Sequence, residues 1–328
     1  MEKAEIRSEI QPAELERPVK SGSSKKRKRK KYLFVYLMLV PAIINFAIFY
    51  VGVNLNSFIM AFRQPVEMGE NGFIYQFSLI NFRKIFTALT TPLDELHVGF
   101  FNTLKYFASA LLITLPLSYL TSYFLYKKMW GYKFFRIVFF LPSIIPAIVY
   151  VTVFQNMLNV SGPVGVLYQA IFGEQIPPLL TTASTATNCI IFFTIWTGFG
   201  VNMLLYQGAM SRLPEEVLEA GKLDGVGWLR EMFQIVTPMI WPTLSMTIIL
   251  CLSKVFMATG PILLFNDTGT GAPYNMSTIS YFIFSQTYGG AYSLEYPAAI
   301  SVFFTIVSLP IVLFVRWFFS KIDPEVSY

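Results

Sequence analysis

The chain has 328 residues, of which 54% are hydrophobic and 13% charged, with a formal net charge of +6. An ordinary soluble domain carries about 25% charged residues, so this composition excludes that class and points to a polytopic membrane protein. The two cysteines, Cys189 and Cys251, both fall in apolar stretches, so neither a disulfide framework nor a metal site is indicated.

The chain opens on a polar tail, Met1 to Ser24, read as disordered or surface-lying, followed by the basic run KKRKRKK from Lys25 to Lys31. Such a run serves as a nuclear address or nucleic-acid patch elsewhere. Standing directly before an apolar segment, it reads as a topology anchor against anionic lipid. Residues 1–31 are therefore taken as a basic cytoplasmic tail, and 32–328 as the membrane domain. Windows of about 20 apolar residues, enough to cross roughly 30 Å of hydrocarbon, then recur six times. They cover Tyr32 to Phe58, Val98 to Tyr126, Phe134 to Leu158, Thr187 to Ala209, Met239 to Phe265 and Pro297 to Phe319. None alternates in polarity as a barrel strand does, so the expected fold class is all-α with six transmembrane helices. Pro41, Pro116, Pro142, Pro146 and Pro310 predict kinks within them. The first span is too long, and lacks the small-x-small site, for a cleaved leader.

Lysine and arginine gather in alternate connections, at Lys127, Lys128, Lys133 and Arg136, at Arg212, Lys222 and Arg230, and at Arg316 and Lys321. The connections Leu158 to Ala186 and Asn266 to Tyr296 have none, and Ala61 to His97 has only Arg63, Arg83 and Lys84. Positive residues stay on the cytoplasmic side, which predicts that both termini are cytoplasmic. Span interiors hold no Asp or Glu, the sole histidine, His97, lies at an outer boundary, and Lys105 snorkels outward. A proton-coupled carrier needs a midplane carboxylate or histidine, so that class is weakened. Lys254 is the exception, an ammonium that must be paired or face a wet cavity. The phosphate-binding signature G-x-x-x-x-G-K-[ST] is absent, since Gly221-Lys222 is followed by Leu223. This predicts a chain that is no enzyme and binds no cofactor, with ATP and Mg handled by another polypeptide.

Between the fourth and fifth spans lies the charged loop LPEEVLEAGKLDGVGWLREMFQIVTPMIWP, within a connection taken as 210–238. Pro214 suits a first helical position and Glu215 and Glu216 favour the positive dipole end. Gly225 ends that helix, Trp228 to Val236 forms a second, and Thr237, preceding Pro238, marks a break. An amphipathic hairpin that merely joins two spans fits this pattern as well as a docking knob does.

These residues resemble the membrane subunits of ATP-binding-cassette importers, the sugar-transporting group of the maltose and glycerol-phosphate permeases. The signature E-A-A, three residues, G, nine residues, I, two residues, P is matched by Glu219, Ala220, Gly221, Gly225, Ile235 and Pro238. By average residue usage a chance match is on the order of 10⁻⁴ or less. Gly221 stands where the family has a second alanine, which loosens the helix by about 1 kcal/mol. LPSIIP in the third span and GPILLFNDTGTGAP after the fifth extend the resemblance from about Tyr32 to the end. The long periplasmic insertion of some maltose-type subunits is absent, because the first outer connection is too short.

The resemblance implies a type I importer permease fold and a coupling helix, Glu215 to Asp224, that docks in a cleft of a cytoplasmic ATPase. Glu219 would make the ionic contact, Ala220 and Gly221 would allow close approach, Gly225 would form the turn, and Asp224, Ile235 and Pro238 would complete the coupling set. It further implies a second related permease, two ATPase subunits and an extracytoplasmic binding protein in a prokaryotic cytoplasmic membrane. In maltose-type relatives sugar contacts lie in the third and fifth spans, which here correspond to Tyr150 and Phe154 and to Ser253, Lys254 and Met257. Helix packing is the competing reading for Tyr150 and Phe154. Lys254 fits an anionic carbohydrate such as a uronide or sugar phosphate, and neutral sugars also remain open. A secondary carrier, or a membrane scaffold without an ATPase, is the alternative function class.

Overall fold

The structure is a computed structural model and describes residues 22–69, 72–182, 184–257, 262–267, 276–289 and 293–323. The expected tail up to Ser21 and most of GPILLFNDTGTGAP lie outside the described residues. The chain divides into two units, Met1–Asn56 and Ser57–Tyr328. The first carries most of helix α1 (Tyr32–Ala61), which is long and apolar enough to cross a membrane.

In the second unit a hairpin of β1 (Arg63–Gly69) and β2 (Gly72–Phe77) pairs Arg63 with Phe77 and Gly69 with Gly72, with a bulge between Pro65 and Glu67. This two-stranded sheet is an addition to an otherwise helical fold. It occupies a connection where only a short outer loop was foreseen. There follow α2 (Ile80–Thr90) and α3 (Glu95–Tyr126), the latter started by Asp94, whose carboxylate accepts from Leu96 N at 2.9 Å. His97 Nδ1 donates to Leu89 O at 2.7 Å and ties the two together.

Next come α4 (Tyr132–Ile144) and α5 (Ala147–Leu158), then α6 (Pro163–Phe172) and the span α7 (Ala186–Met210). The third predicted span is not one straight helix. It bends by 103° between Ile144 and Ala147. Ile145, at φ −74 and ψ 137, is extended because it precedes Pro146, whose ring disfavours the helical region there.

The charged loop folds as α8 (Glu215–Leu223) and α9 (Trp228–Met239), followed by α10 (Trp241–Ser253), α11 (Ile262–Asp267), α12 (Ile279–Tyr288) and the span α13 (Glu295–Ile322). The predicted break at Thr237 is corrected, for Thr237 is helical at φ −57 and ψ −50. A π turn over Glu231–Val236 precedes it, and such widening moves the upstream carbonyl out of the way of the Pro238 ring. The bend, 78°, falls instead at Ile240, ahead of Pro242. The same device recurs in α3, where the π turn Ala110–Thr114 stands just before Pro116. The fifth predicted span is likewise shorter than expected, since α10 ends at Ser253.

Four helices, α1, α3, α7 and α13, are each long and apolar enough to cross a membrane, and each bent pair adds one more if it forms a single span. The core centres on α7, packed against α3 and α4. Ser118 and Ser122 of α3 donate to Phe199 O and Met203 O of α7 at 2.9 and 2.6 Å. Gly200 lets the α4 backbone come close, since a Cβ there would stand 2.4 Å from Phe139 O. Small residues at such crossings give helices in lipid their packing contacts.

The C-terminus of α3 closes with Lys128 in the left-handed region at φ 54. Lys128 N bonds Leu125 O at 3.1 Å and Met129 N bonds Phe124 O at 3.3 Å, the pattern usually built on glycine. A left-handed non-glycine residue costs about 1–2 kcal/mol, partly offset by glycine's larger unfolded-state entropy. Lys128→Gly should therefore stabilise the protein by about 0.5–1 kcal/mol, read as a higher melting temperature in detergent.

Candidate functional site

The charged loop is a stiff knob. Leu218 and Gly221 turn inward from α8, while Glu215, Glu216, Glu219, Ala220, Lys222 and Leu223 face out. Glu215 and Glu216 in the first turn and Lys222 in the last complement the helix dipole. Pro214 stands one position earlier than expected, as the cap, at φ −60 and ψ 126. The C-terminus is a Schellman cap: Gly225 is left-handed at φ 72, Gly225 N bonds Lys222 O at 3.1 Å, and Val226 N bonds Gly221 O at 3.0 Å.

Gly221 packs within the loop itself. A Cβ at this position would lie 2.9 Å from Ile235 Cδ1, the far end of a side chain that can shift slightly. One methyl is therefore the most that the position accepts cheaply, which gives a physical reason for a small residue at 221 and an isoleucine at 235. Pro238 follows in α9 as described above. The tip is Leu223, 90% exposed, beside the exposed Asp224.

An apolar cluster anchors the knob to the bundle, with Leu213, Leu218, Met232 and Val236 packed with Tyr123 of α3 and Tyr206 of α7. Fully burying a leucine such as Leu218 contributes roughly 1.5–3 kcal/mol. Polar ties reinforce it. Tyr119 Oη donates to Met232 O at 2.9 Å and lies 2.7 Å from Thr237 Oγ1, and Lys127 is ion-paired with Glu231. Sequence reasoning missed Tyr119, Lys127 and Glu231, whose partners lie far away in the chain.

A cavity of about 460 Å³ opens between α3, α7 and α10, with Tyr106, Thr114, Asn202, Thr247, Cys251 and Lys254 among its lining residues. Lys254 caps α10, its N–H directed at Leu250 O and Cys251 O. Of the five sequence-predicted substrate residues, only Lys254 lines this cavity. Phe154 is 6% exposed within a core cluster, edge-on to Phe193 and Phe265, and Tyr150 packs edge-on to Trp196. Ser253 donates to Ile249 O at 2.8 Å and Met257 is 77% exposed. The structure adds Tyr106, whose buried hydroxyl has no hydrogen-bond partner among the described residues. A wider, more open cleft of about 770 Å³ lies near the N-terminal end of α3, lined by Arg83, Lys84, Asp94 and Gln286.

The family model described as binding-protein-dependent transport system inner membrane component matches residues 114–328. This chain belongs to that family. The permease is 28% identical over 297 residues to the probable ABC transporter permease protein YurN of Bacillus subtilis (strain 168), covering 87% of this chain and 95% of YurN. It is 25% identical over 296 residues to the arabinooligosaccharides transport system permease protein AraP of the same organism, covering 85% and 86%. In fold the permease is similar to a chain of a bacterial alginate ABC transporter solved in complex with an alginate pentasaccharide-bound periplasmic protein. The TM-score is 0.77 at 22% identity, with 92% and 99% of the two chains covered. The permease is thus a multi-pass inner-membrane component of a binding-protein-dependent transport system.

Proposed function

We propose that the permease forms half of the translocation path of an ATP-driven carbohydrate importer, with a second related permease, two ATPase subunits and an extracytoplasmic binding protein. Taking each bent pair as one span supports six crossings, and with six the alternation of basic connections supports a cytoplasmic place for both termini and the charged loop. The observation that carries the reading is the loop itself. Its cap, its close Gly221–Ile235 contact and its anchorage make a rigid helix that offers Glu219 and Leu223 to a partner.

The ATPase would consume ATP and Mg, with no cofactor held by this chain. Carbohydrate is supported by two relatives whose names specify arabino-oligosaccharides and alginate. A mostly apolar cavity lined by Lys254, Asn202, several threonines and Tyr106, whose hydroxyl has no partner among the described residues, suits a hydroxyl-rich solute. The host would be prokaryotic.

Purification of the tagged chain from host membranes in mild detergent tests this. An ATPase and a second permease should accompany it, and the complex in proteoliposomes should hydrolyse ATP. Recovery of the chain alone, without an ATPase, would overturn the reading.

A further inference from the structure

Among the described residues one ion pair is found, Lys127 with Glu231, and it joins the coupling loop to the end of α3. Glu231 is 4% exposed, too buried for a lone carboxylate to be tolerated without a cation beside it. Lys127 is held at the C-terminus of α3 by the left-handed turn at Lys128, where the helix dipole also favours positive charge. Tyr119, about two turns earlier in the same helix, bonds the carbonyl of Met232 and the hydroxyl of Thr237. The cytoplasmic half of α3 is thus fastened to α9 by directional polar contacts as well as by apolar packing.

The other half of α3 is fastened elsewhere. Asn102 Nδ2 donates to Ser277 O at 3.0 Å, Ser277 Oγ donates to Glu95 Oε1 at 3.3 Å, and Thr103 Oγ1 accepts from Ile279 N at 3.1 Å. Between the two fastenings lies the π turn Ala110–Thr114, and both of its end residues line the cavity. Turns of this kind within helices mark places where the ladder of hydrogen bonds is weakest and the helix most readily changes direction.

We infer that the Lys127–Glu231 pair is the latch through which movement of the coupling loop is passed to α3, and so to the cavity at its π turn. This rests on the proposed docking of the loop on an ATPase. Apolar contacts slide under a sideways pull, whereas an ion pair whose carboxylate is buried and whose ammonium is only partly exposed resists displacement more, because its attraction is less screened than in bulk water. Lys127 and Glu231 are positioning residues, since neither lines the cavity.

The test uses the whole complex and needs no known sugar. Cys189 and Cys251 are the only cysteines of the chain, and Cys251 lines the cavity. In a Cys189→Ser background, labelling of Cys251 by a charged maleimide is compared with and without a non-hydrolysable ATP analogue. The parent should show a nucleotide-dependent change. Glu231→Gln should keep the co-purified ATPase and lose that change, and the exchange Lys127→Glu with Glu231→Lys should recover it. A nucleotide response in Glu231→Gln equal to the parent's overturns the latch, as does an assembled exchange variant that stays unresponsive. Loss of the ATPase from the parent would instead defeat the docking reading. If Glu231→Gln is not recovered from membranes, the double variant Lys127→Met, Glu231→Met removes both charges without stranding one and is read in the same way. Its response should be lost, and a full response overturns the proposal.

Discussion

Replacing Leu223 with aspartate should leave the permease folded and inserted while cutting import severely. Leu223 is 90% exposed at the tip of α8, so a charge there takes no packing from the chain's own core. In the docked complex proposed above the same side chain would serve as an apolar anchor. Losing a buried leucine and desolvating a carboxylate in its place costs at least about 2–3 kcal/mol, roughly thirtyfold to more than a hundredfold in affinity. The readouts are ATPase recovered with the tagged chain, nucleotide-driven solute uptake in vesicles, and an unchanged melting temperature for the isolated chain. Gly225→Val approaches the same interface from the backbone. Its φ of 72 disfavours any β-branched residue, so the Schellman cap should open and re-aim Leu223 and Glu219. A variant with Glu219 and Gly225 both replaced that assembles and imports at full rate would overturn the coupling role of this loop.

Gly200→Val should act on the fold before it acts on transport. The α4 backbone passes so near α7 that a Cβ would meet Phe139 O at 2.4 Å and Phe140 Cα at 3.2 Å. Backbone atoms cannot swing aside as the end of Ile235 can at Gly221. The helices must separate, which loosens the contact of Phe199 with Phe139 and the Ser118 and Ser122 bonds along the neighbouring face. Overpacking of this kind costs typically 1–3 kcal/mol, and the branched side chain places valine at or above the upper end. The expected result is a clearly lower melting temperature and poor recovery from membranes. Gly208→Val serves as the control, because a Cβ there meets nothing within 4 Å. Equal stability of the two variants would contradict the close crossing.

The two experiments differ in what the sequence said about them beforehand. The Glu219 to Pro238 spacing marked the loop before any helix was placed, because its demands are local: a small residue at 221, a left-handed residue at 225, a proline at 238. Gly200 carried no such mark. One glycine among the small residues of an apolar span becomes important only when a particular neighbour crosses at that level. The substrate side shows the same division. Lys254 stood out because an ammonium in an apolar stretch needs water or a partner. Tyr150 and Phe154 have aromatic faces that suit a sugar as well as a core; Phe154 packs in a buried cluster with Phe193 and Phe265, and the half-buried Tyr150 packs against Trp196 at its edge. Tyr106 was passed over because a tyrosine in a span is unremarkable until its hydroxyl is found buried beside a cavity, without a partner among the described residues.

By itself the sequence determined the membrane class, the lengths and number of the apolar windows and the helix, turn and helix of the charged loop. Each of these depends on bilayer thickness, transfer free energy or the φ of one residue, all of which are read within a short window. The kink at Pro146 in the third window was legible from the proline alone, but only the tertiary structure decided where the fifth window breaks, since the π turn before Pro238 moves the bend from Thr237 to Ile240. It alone joined Glu231 to Lys127, and set Tyr106 and Lys254 on one cavity. Those outcomes depend on which helices meet and at what height, and interactions between residues distant in the chain leave no periodicity for a single sequence to display.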